Sequence, residues 1–166
     1  MQRGMSLIEL LVYIAIVSIV VVVLSATYIS FINIRAKTEA VVTTDTALRY
    51  VAETLTRDVE RANTIIAPVQ GATGTTITLM HGTSTIIYTL ENSRIVRSVD
   101  GVPEILTSDR ISMTQFEIAH TSNTQTLTTR TQGGIRWSLK AEHSYASGEY
   151  RYDAARQGAA SLRNYE

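Results

Sequence analysis

The strongest constraint on this chain is an apolar run near its N-terminus that contains no charged side chain. The run extends from Leu10 to Ile34, between Glu9 and Arg35. A helix needs about 20 apolar residues to cross the hydrocarbon core of a bilayer. The run is rich in Val and Ile, which lower helix propensity in water, but lipid offers no partner for an unpaired backbone group. The sequence therefore predicts one membrane-spanning helix.

The run could be a secretory signal peptide or a plain membrane anchor, and both have to be weighed against a membrane helix with a further function. A secretory signal peptide has a shorter apolar core that is followed by a cleavage site, and this run is too long for it. A plain single-pass anchor remains an alternative, but it has no use for Glu9 at the edge of the run, because a carboxylate at the bilayer centre costs about 2.5–3.5 kcal/mol. An ionisable residue in that place indicates a function and needs a partner charge.

The residues before the run supply that partner. The chain begins MQRGMSLIELL, which resembles the class III signal of type IV prepilins and type II secretion pseudopilins: a short basic leader that ends in Gly, and Glu as the fifth mature residue. The resemblance implies that a prepilin peptidase cleaves between Gly4 and Met5 and that the new amino group of Met5 is N-methylated. Arg3 would be the leader charge, and Glu9 would balance the Met5 amine on its own chain or on a neighbour, guiding assembly.

Topology cannot be read from the charges alone, because Arg3 flanks one end of the run while Arg35 and Lys37 flank the other. The resemblance implies a single-pass inner (cytoplasmic) membrane protein with its N-terminus inside, which later enters an extracytoplasmic filament. The partners that it implies are other pilin or pseudopilin subunits, the prepilin peptidase, an inner-membrane assembly platform, and membrane lipid before assembly.

The helix is predicted to continue to about Asn63, since no Pro or Gly interrupts residues 35–63. Apolar residues spaced by three and four predict one buried face: Val41, Leu48, Val51, Ala52, Leu55, Val59 and Ala62. Charged residues four apart predict a solvated opposite face: Asp45, Arg49, Glu53, Arg57 and Arg61. Pro68 is expected to stop the helix at or shortly before Ala67.

The remaining residues predict antiparallel strands, because they are rich in Thr and β-branched residues and their connections are short. Strands are expected at 75–80, 85–90, 94–99, 110–118 with a bulge at Thr114–Gln115, 126–131, 135–143 and 149–153. Turns are expected at 82–84, 91–93, 100–101 and 132–134.

The predicted fold is therefore α+β and pilin-like: a long N-terminal helix, its apolar half projecting, packed on an antiparallel β-sheet head. The expected divisions are a leader at 1–4, a transmembrane or filament-core segment at 5–34, and a periplasmic or extracellular head at 35–166. The segments 55–62 and 161–165 also resemble minor pilins and J- or W-type pseudopilins. Many major pilins have a Pro in the apolar half and a disulfide-bounded loop; this chain has no Pro there, so a kink is not predicted, and no cysteine, which excludes the loop. The resemblance to minor pilins and pseudopilins implies a minor component.

Catalytic chemistry finds little support in the sequence. The 15 basic and 15 acidic residues balance, which disfavours a broad nucleic-acid surface. His81, His120 and His143 lack metal-ligand spacing, so no metal, cofactor, enzyme activity or small-molecule substrate is expected. Trp137 and the tyrosines near the C-terminus are expected in the core. The alternative function is a single-pass membrane-tethered binding or sensor domain that does not polymerise.

Overall fold

The structure, a computed structural model, describes residues 7–125, 130–143 and 151–163. One helix, α1 (Leu7–Arg61), precedes nine strands. The strands are β1 (Thr64–Ala67), β2 (Thr73–Gly74), β3 (Thr76–His81), β4 (Ser84–Glu91), β5 (Arg94–Val99), β6 (Val102–Ile105), β7 (Ile111–Gln125), β8 (Arg130–His143) and β9 (Asp153–Ser161).

Internal contacts divide the chain into two compact units, Met1–Glu39 and Ala40–Glu166. The first unit contains the apolar part of α1. The second contains the rest of α1 and two antiparallel sheets, where a single sheet was expected: one ordered β1-β3-β4-β5-β6 and one ordered β2-β7-β8-β9. The prediction of an α+β architecture with a long N-terminal helix packed on antiparallel sheet is confirmed.

The second half of α1 is amphipathic as predicted. The buried face of α1 includes Leu48, Val51, Leu55 and Val59. All five members of the charge ladder are exposed, and Arg49 Nε donates to Glu53 Oε1 at 2.7 Å. Only Val41 departs from the prediction, being half-buried, while Ala40 is buried in its place.

The helix ends two residues earlier than predicted, at Arg61. The Asn63 N–H donates to Met80 O at 2.8 Å and its side-chain oxygen accepts from the Gly82 N–H at 2.6 Å. The backbone at Asn63 is thus already paired with β3. The strand β1 follows immediately, in residues for which the sequence predicts only that the helix stops before Pro68.

Three tight turns fix the register of the five-stranded sheet. Asn92 and Ser93 have φ values of 49° and 60°, and Asp100 and Gly101 have 51° and 87°. Two successive positive φ values identify type I′ turns, whose twist suits a hairpin. Gly82, with φ of 61°, begins the two-residue loop between β3 and β4.

The bulge predicted at Thr114–Gln115 is confirmed by the shift in β7–β8 pairing between Met113 and Gln115. A strand turns alternate side chains to one face, so an uninterrupted β7 could not bury both Met113 and Phe116. The extra residue allows both to enter the core, where each is at most 2% exposed.

The turn predicted at 132–134 is wrong, because Gly133 and Gly134 lie inside β8 and pair with Ser122 and Thr121 of β7. Close packing explains why glycine occupies this part of the strand. A Cβ atom on Gly133 would lie 3.2 Å from Leu162 Cδ1. The residues between β7 and β8, 126–129, are outside the described residues, as is most of the predicted strand at 126–131.

Of the predicted strand at 149–153, residues 149–150 lie outside the described residues and residues 151–152 are not strand; β9 begins at Asp153 and continues to Ser161. This segment is rich in Ala and Gly, which have low strand propensity, and its strand structure comes from pairing with β8. The short strands β1, β2 and β6 were not predicted. Both sheets contribute side chains to one core with α1, led by Tyr88, Phe116, Leu48, Leu55, Ile77 and Leu79.

Candidate functional site

The first unit presents an apolar surface that nothing in the described chain covers. Every residue from Leu7 to Ile32 is classed as exposed, including Leu7 at 81% and Leu24 at 63%. Soluble monomers rarely expose a continuous apolar patch of this extent. This surface therefore requires lipid or other protein around it.

Three hydroxyl side chains of the first unit are satisfied by the helix itself. Ser18 Oγ donates to Ile14 O at 2.7 Å, and Thr27 Oγ1 donates to Val23 O at 2.9 Å. Thr38 Oγ1 makes the same bond to Ile34 O, at 2.9 Å. Each hydroxyl bonds the carbonyl four residues earlier, so it does not need water or a neighbour as a partner.

By length and composition α1 qualifies as one candidate membrane span, and none of its apolar window is buried within the described structure. Glu9 lies in the first turn of α1 and is exposed. A negative side chain in the first turn interacts favourably with the positive end of the helix dipole. Arg3, Gly4 and Met5 lie outside the described residues, so the cleavage, methylation and pairing roles assigned to these four positions remain predictions.

The second unit contains a buried charged cluster that sequence analysis missed. Asp58 is 7% exposed. Its Oδ2 accepts from Tyr88 Oη at 2.6 Å and from Arg97 Nε at 2.7 Å. Arg97 Nη1 also approaches Glu104 Oε2, at 3.4 Å. Asp58 thus connects α1 to β4 and β5.

The sequence did contain a signal for Asp58. It lies three residues after Leu55 and four before Ala62, so its spacing places it on the apolar face and outside the ladder of charges four apart. A carboxylate on a buried face needs a paired cation, and Arg97 is the basic residue that supplies it.

The cluster changes the ionisation of its members. Burial, with the hydrogen bond to Asp58 as the second cause, raises the pKa of Tyr88 far above its ordinary value, so the phenol stays protonated. The hydrogen bond to Asp58 likewise raises the pKa of Arg97. Tyr88 and Arg97 therefore both stay protonated. Groups that do not exchange protons suit a structural link better than acid–base chemistry.

The other residues considered for chemistry are dispersed. Trp137 is 6% exposed and packs in the core, as predicted. The imidazole of His120 lies 2.8 Å from Pro68 O through Nδ1; because a carbonyl only accepts, that nitrogen carries the proton. Within residues 7–125, 130–143 and 151–163, no group of three or more His, Cys, Asp or Glu side chains is placed to hold a metal.

Comparison with known families finds the prokaryotic N-terminal methylation motif over residues 1–25. No curated protein and no solved structure matched the chain. The motif covers residues 1–25, which include the start of α1, and the described residues add the rest of that helix and the antiparallel sheets. The motif accompanies the one helix among the described residues that is long and apolar enough to cross a membrane. The motif at residues 1–25 and the long N-terminal helix packed on antiparallel sheets both support the resemblance to type IV prepilin-like proteins.

Proposed function

We propose that the chain is a non-enzymatic structural subunit of a type IV pilus-like or type II secretion pseudopilus filament, and a minor component of it. The observation that carries this proposal is the methylation motif at residues 1–25 on a helix whose following apolar residues are exposed. A tethered sensor domain would account for the apolar segment. It would not account for the motif.

The mechanism is polymerisation. Before assembly, lipid surrounds the apolar segment, with the N-terminus inside and the head at 35–166 outside the cytoplasmic membrane. The assembly platform then moves the subunit out of the bilayer, and its apolar surface becomes covered by the helices of neighbouring subunits. The hydroxyl groups of Ser18 and Thr27 keep their intrahelical bonds throughout, so the transfer disturbs no polar contact of theirs.

Processing creates the charge that directs assembly. Cleavage after Gly4 releases an amino group at Met5, which becomes methylated and positively charged. Glu9 neutralises that charge within the bundle, because an unpaired charge in an apolar interior is strongly destabilising. Arg3 belongs to the removed leader and acts only before cleavage, in retaining the N-terminus inside.

Two measurements on the same strain pair test the proposal. The chain is expressed with and without an active prepilin peptidase, and its intact mass and its presence in sheared filaments are recorded. We expect loss of residues 1–4, one added methyl group and recovery from filaments only when the peptidase is present. A processed chain that never appears in filaments would favour the tethered-domain function, and an N-terminus still at Met1 would reject the proposed processing.

A further inference from the structure

The two sheets have four edges, and three of them are poor sites for adding another strand. β2 has only two residues. β1 has four and contains a register irregularity between Ile65 and Ala67. β6 has four residues and includes Pro103, opposite Ser98. Short length, irregular pairing and proline are the features by which proteins protect sheet edges.

The position of Pro103 shows how that protection operates in β6. Leu106 N donates to Ile95 O at 2.9 Å, and hydrogen-bonded pairs alternate along an antiparallel ladder. Glu104 therefore bonds inward to β5, while Pro103 and Ile105 face outward. Proline has no N–H, so one of the two outward donors of this edge is missing.

β9 is the exception among the four edges. It is nine residues long, and it contains neither a proline nor a register shift. It is the edge strand of the four-stranded sheet, and no strand among the described residues pairs with its outer side. Two backbone hydrogen bonds show which residues of β9 bond to β8. His143 N donates to Tyr152 O at 2.9 Å at one end of the β8–β9 ladder, and Leu162 N donates to Gly133 O at 3.0 Å at the other end.

The alternation along this ladder identifies the open backbone groups. The even-numbered residues of β9 bond to β8, and the odd-numbered residues direct N–H and C=O outward. The outward residues are Asp153, Ala155, Gln157, Ala159 and Ser161. Their side chains are all exposed, and no other strand among the described residues pairs with this edge.

A charged groove of about 450 Å³ borders the same strand. Arg156 and Gln157 form its β9 side, and three cations line it against two carboxylates: Arg49, Arg57 and Arg156 against Glu53 and Glu60. Glu53 is already bonded to Arg49, and that hydrogen bond, with smaller contributions from Arg57 and Arg156, lowers its pKa. The groove thus retains an excess of positive charge.

From these features we propose that β9 is a docking edge for an extended segment of a partner protein that carries an acidic side chain. The segment adds as an antiparallel strand to the odd-numbered residues of β9, and the acidic side chain enters the groove between Arg57 and Arg156. Backbone bonds supply binding, and the side chain supplies selectivity. The proposal does not depend on the proposed filament function, since a tethered domain could use the same edge.

The test uses the full chain in detergent and a synthetic nine-residue peptide of alternating Thr and Val with one central Glu. We expect the peptide to bind and to slow amide exchange at Ala155, Gln157 and Ala159. Ala159→Pro removes an outward N–H, as Pro103 does in β6, leaves the N–H groups that bond to β8 in place, and is expected to weaken binding at least tenfold. Ala159→Ser is the matched control, because the side chain of residue 159 does not line the groove, and is expected to stay within about twofold of the parent chain.

A control peptide has the same sequence, except that Gln replaces the central Glu. It is expected to bind several-fold more weakly, and the difference should shrink with added salt. Absence of binding at millimolar peptide would overturn the proposal, as would equal binding by the Ala159→Pro and Ala159→Ser variants or protection confined to another edge. Concentration-dependent protection of the same β9 amides without peptide would show that a second copy of the chain, and not an acidic partner, occupies the edge.

Discussion

Glu9 and Asp58 are both carboxylates on one helix, but their surroundings assign them opposite tasks. Glu9 is exposed, and the part of α1 around it contains no cation; in the proposed mechanism its partner is the amine of Met5. Asp58 is buried and already bonded to Tyr88 and Arg97. Replacing Glu9 should therefore affect assembly, and replacing Asp58 should affect folding.

For Glu9 we expect that Glu9→Ala is cleaved, inserted in the membrane and depleted from sheared filaments by orders of magnitude. An unpaired buried charge at the Met5 amine costs about 3–5 kcal/mol. Quantitative immunoblotting of membrane and filament fractions measures the effect. Glu9→Gln is the isosteric control and should be depleted similarly, because it also lacks the charge; normal recovery of either variant would show that the charge is dispensable. A subunit at the filament tip, without a neighbour ahead of it, would tolerate the change.

For Asp58 we expect that Asp58→Ala destabilises the head by about 3–5 kcal/mol, since it leaves Arg97 without its buried counter-charge. Tyr88→Phe removes one hydrogen bond and should cost only about 0.5–1.5 kcal/mol. Urea titration followed by tryptophan fluorescence compares the two, with Trp137 as the probe. Equal losses in both variants would contradict the ion-pair account.

The raised pKa of Tyr88 predicts the direction of an alkaline effect. The folded phenol holds its proton at a pH where the unfolded phenol, with a pKa of about 10, releases it. This stabilisation is complete below pH 10 and declines above it, by up to about 1.4 kcal/mol per pH unit. Urea midpoints between pH 8 and 11 should fall more steeply for the parent chain than for Tyr88→Phe. Parallel profiles would mean that Tyr88 titrates normally.

At the scale of elements, the parts predicted from sequence are those in which local pattern and tertiary contact agree. Residues spaced by three and four define the buried face of α1, and the slip in alternation at Thr114–Gln115 locates a real bulge. In β9 local pattern and tertiary contact disagree. Its alanines and glycine have low strand propensity, and the segment is a strand because it pairs with β8. The turn predicted at Gly133 and Gly134 is wrong for a related reason. Paired glycines usually indicate a turn, but here the absence of a side chain leaves room for closely packed neighbours.

Gly158 offers a direct test of how tightly β8 and β9 pack. It pairs with Trp137, and an added Cβ would clash with the indole ring of Trp137. We expect Gly158→Ala to destabilise the head by about 1–3 kcal/mol, the usual cost of overpacking, measured by urea titration. Ala159→Ser, on an exposed neighbour, is the control and should change stability by less than about 0.5 kcal/mol.

If the clash is the cause, Trp137→Leu should relieve it. The Gly158→Ala change would then cost less in a Trp137→Leu background than in the parent chain. Far-ultraviolet circular dichroism replaces fluorescence as the readout for this pair of variants. Strictly additive losses would place the effect of Gly158→Ala elsewhere.

At the scale of the whole molecule, we expect residues 35–166 to form a soluble monomer after the apolar segment is deleted. The apolar face of α1 at Leu48, Leu55 and Val59 is already covered within the second unit, so deletion exposes no core surface there. Light scattering should give the mass of one chain, and circular dichroism should show both helix and strand. Aggregation, or a spectrum of helix alone, would contradict an independently folded head.

The bonds of Ser18 and Thr27 to their own helix have a consequence for how subunits choose one another. A neighbouring helix meets their methyl and methylene groups and finds no free hydroxyl donor to match at these two positions. Such a surface discriminates poorly between similar sequences, because specificity depends on groups that are left unsatisfied by the wrong partner. We therefore expect these two positions to add little to the choice of neighbour, so that subunits with Ser18→Ala and Thr27→Val should co-assemble as the parent chain does.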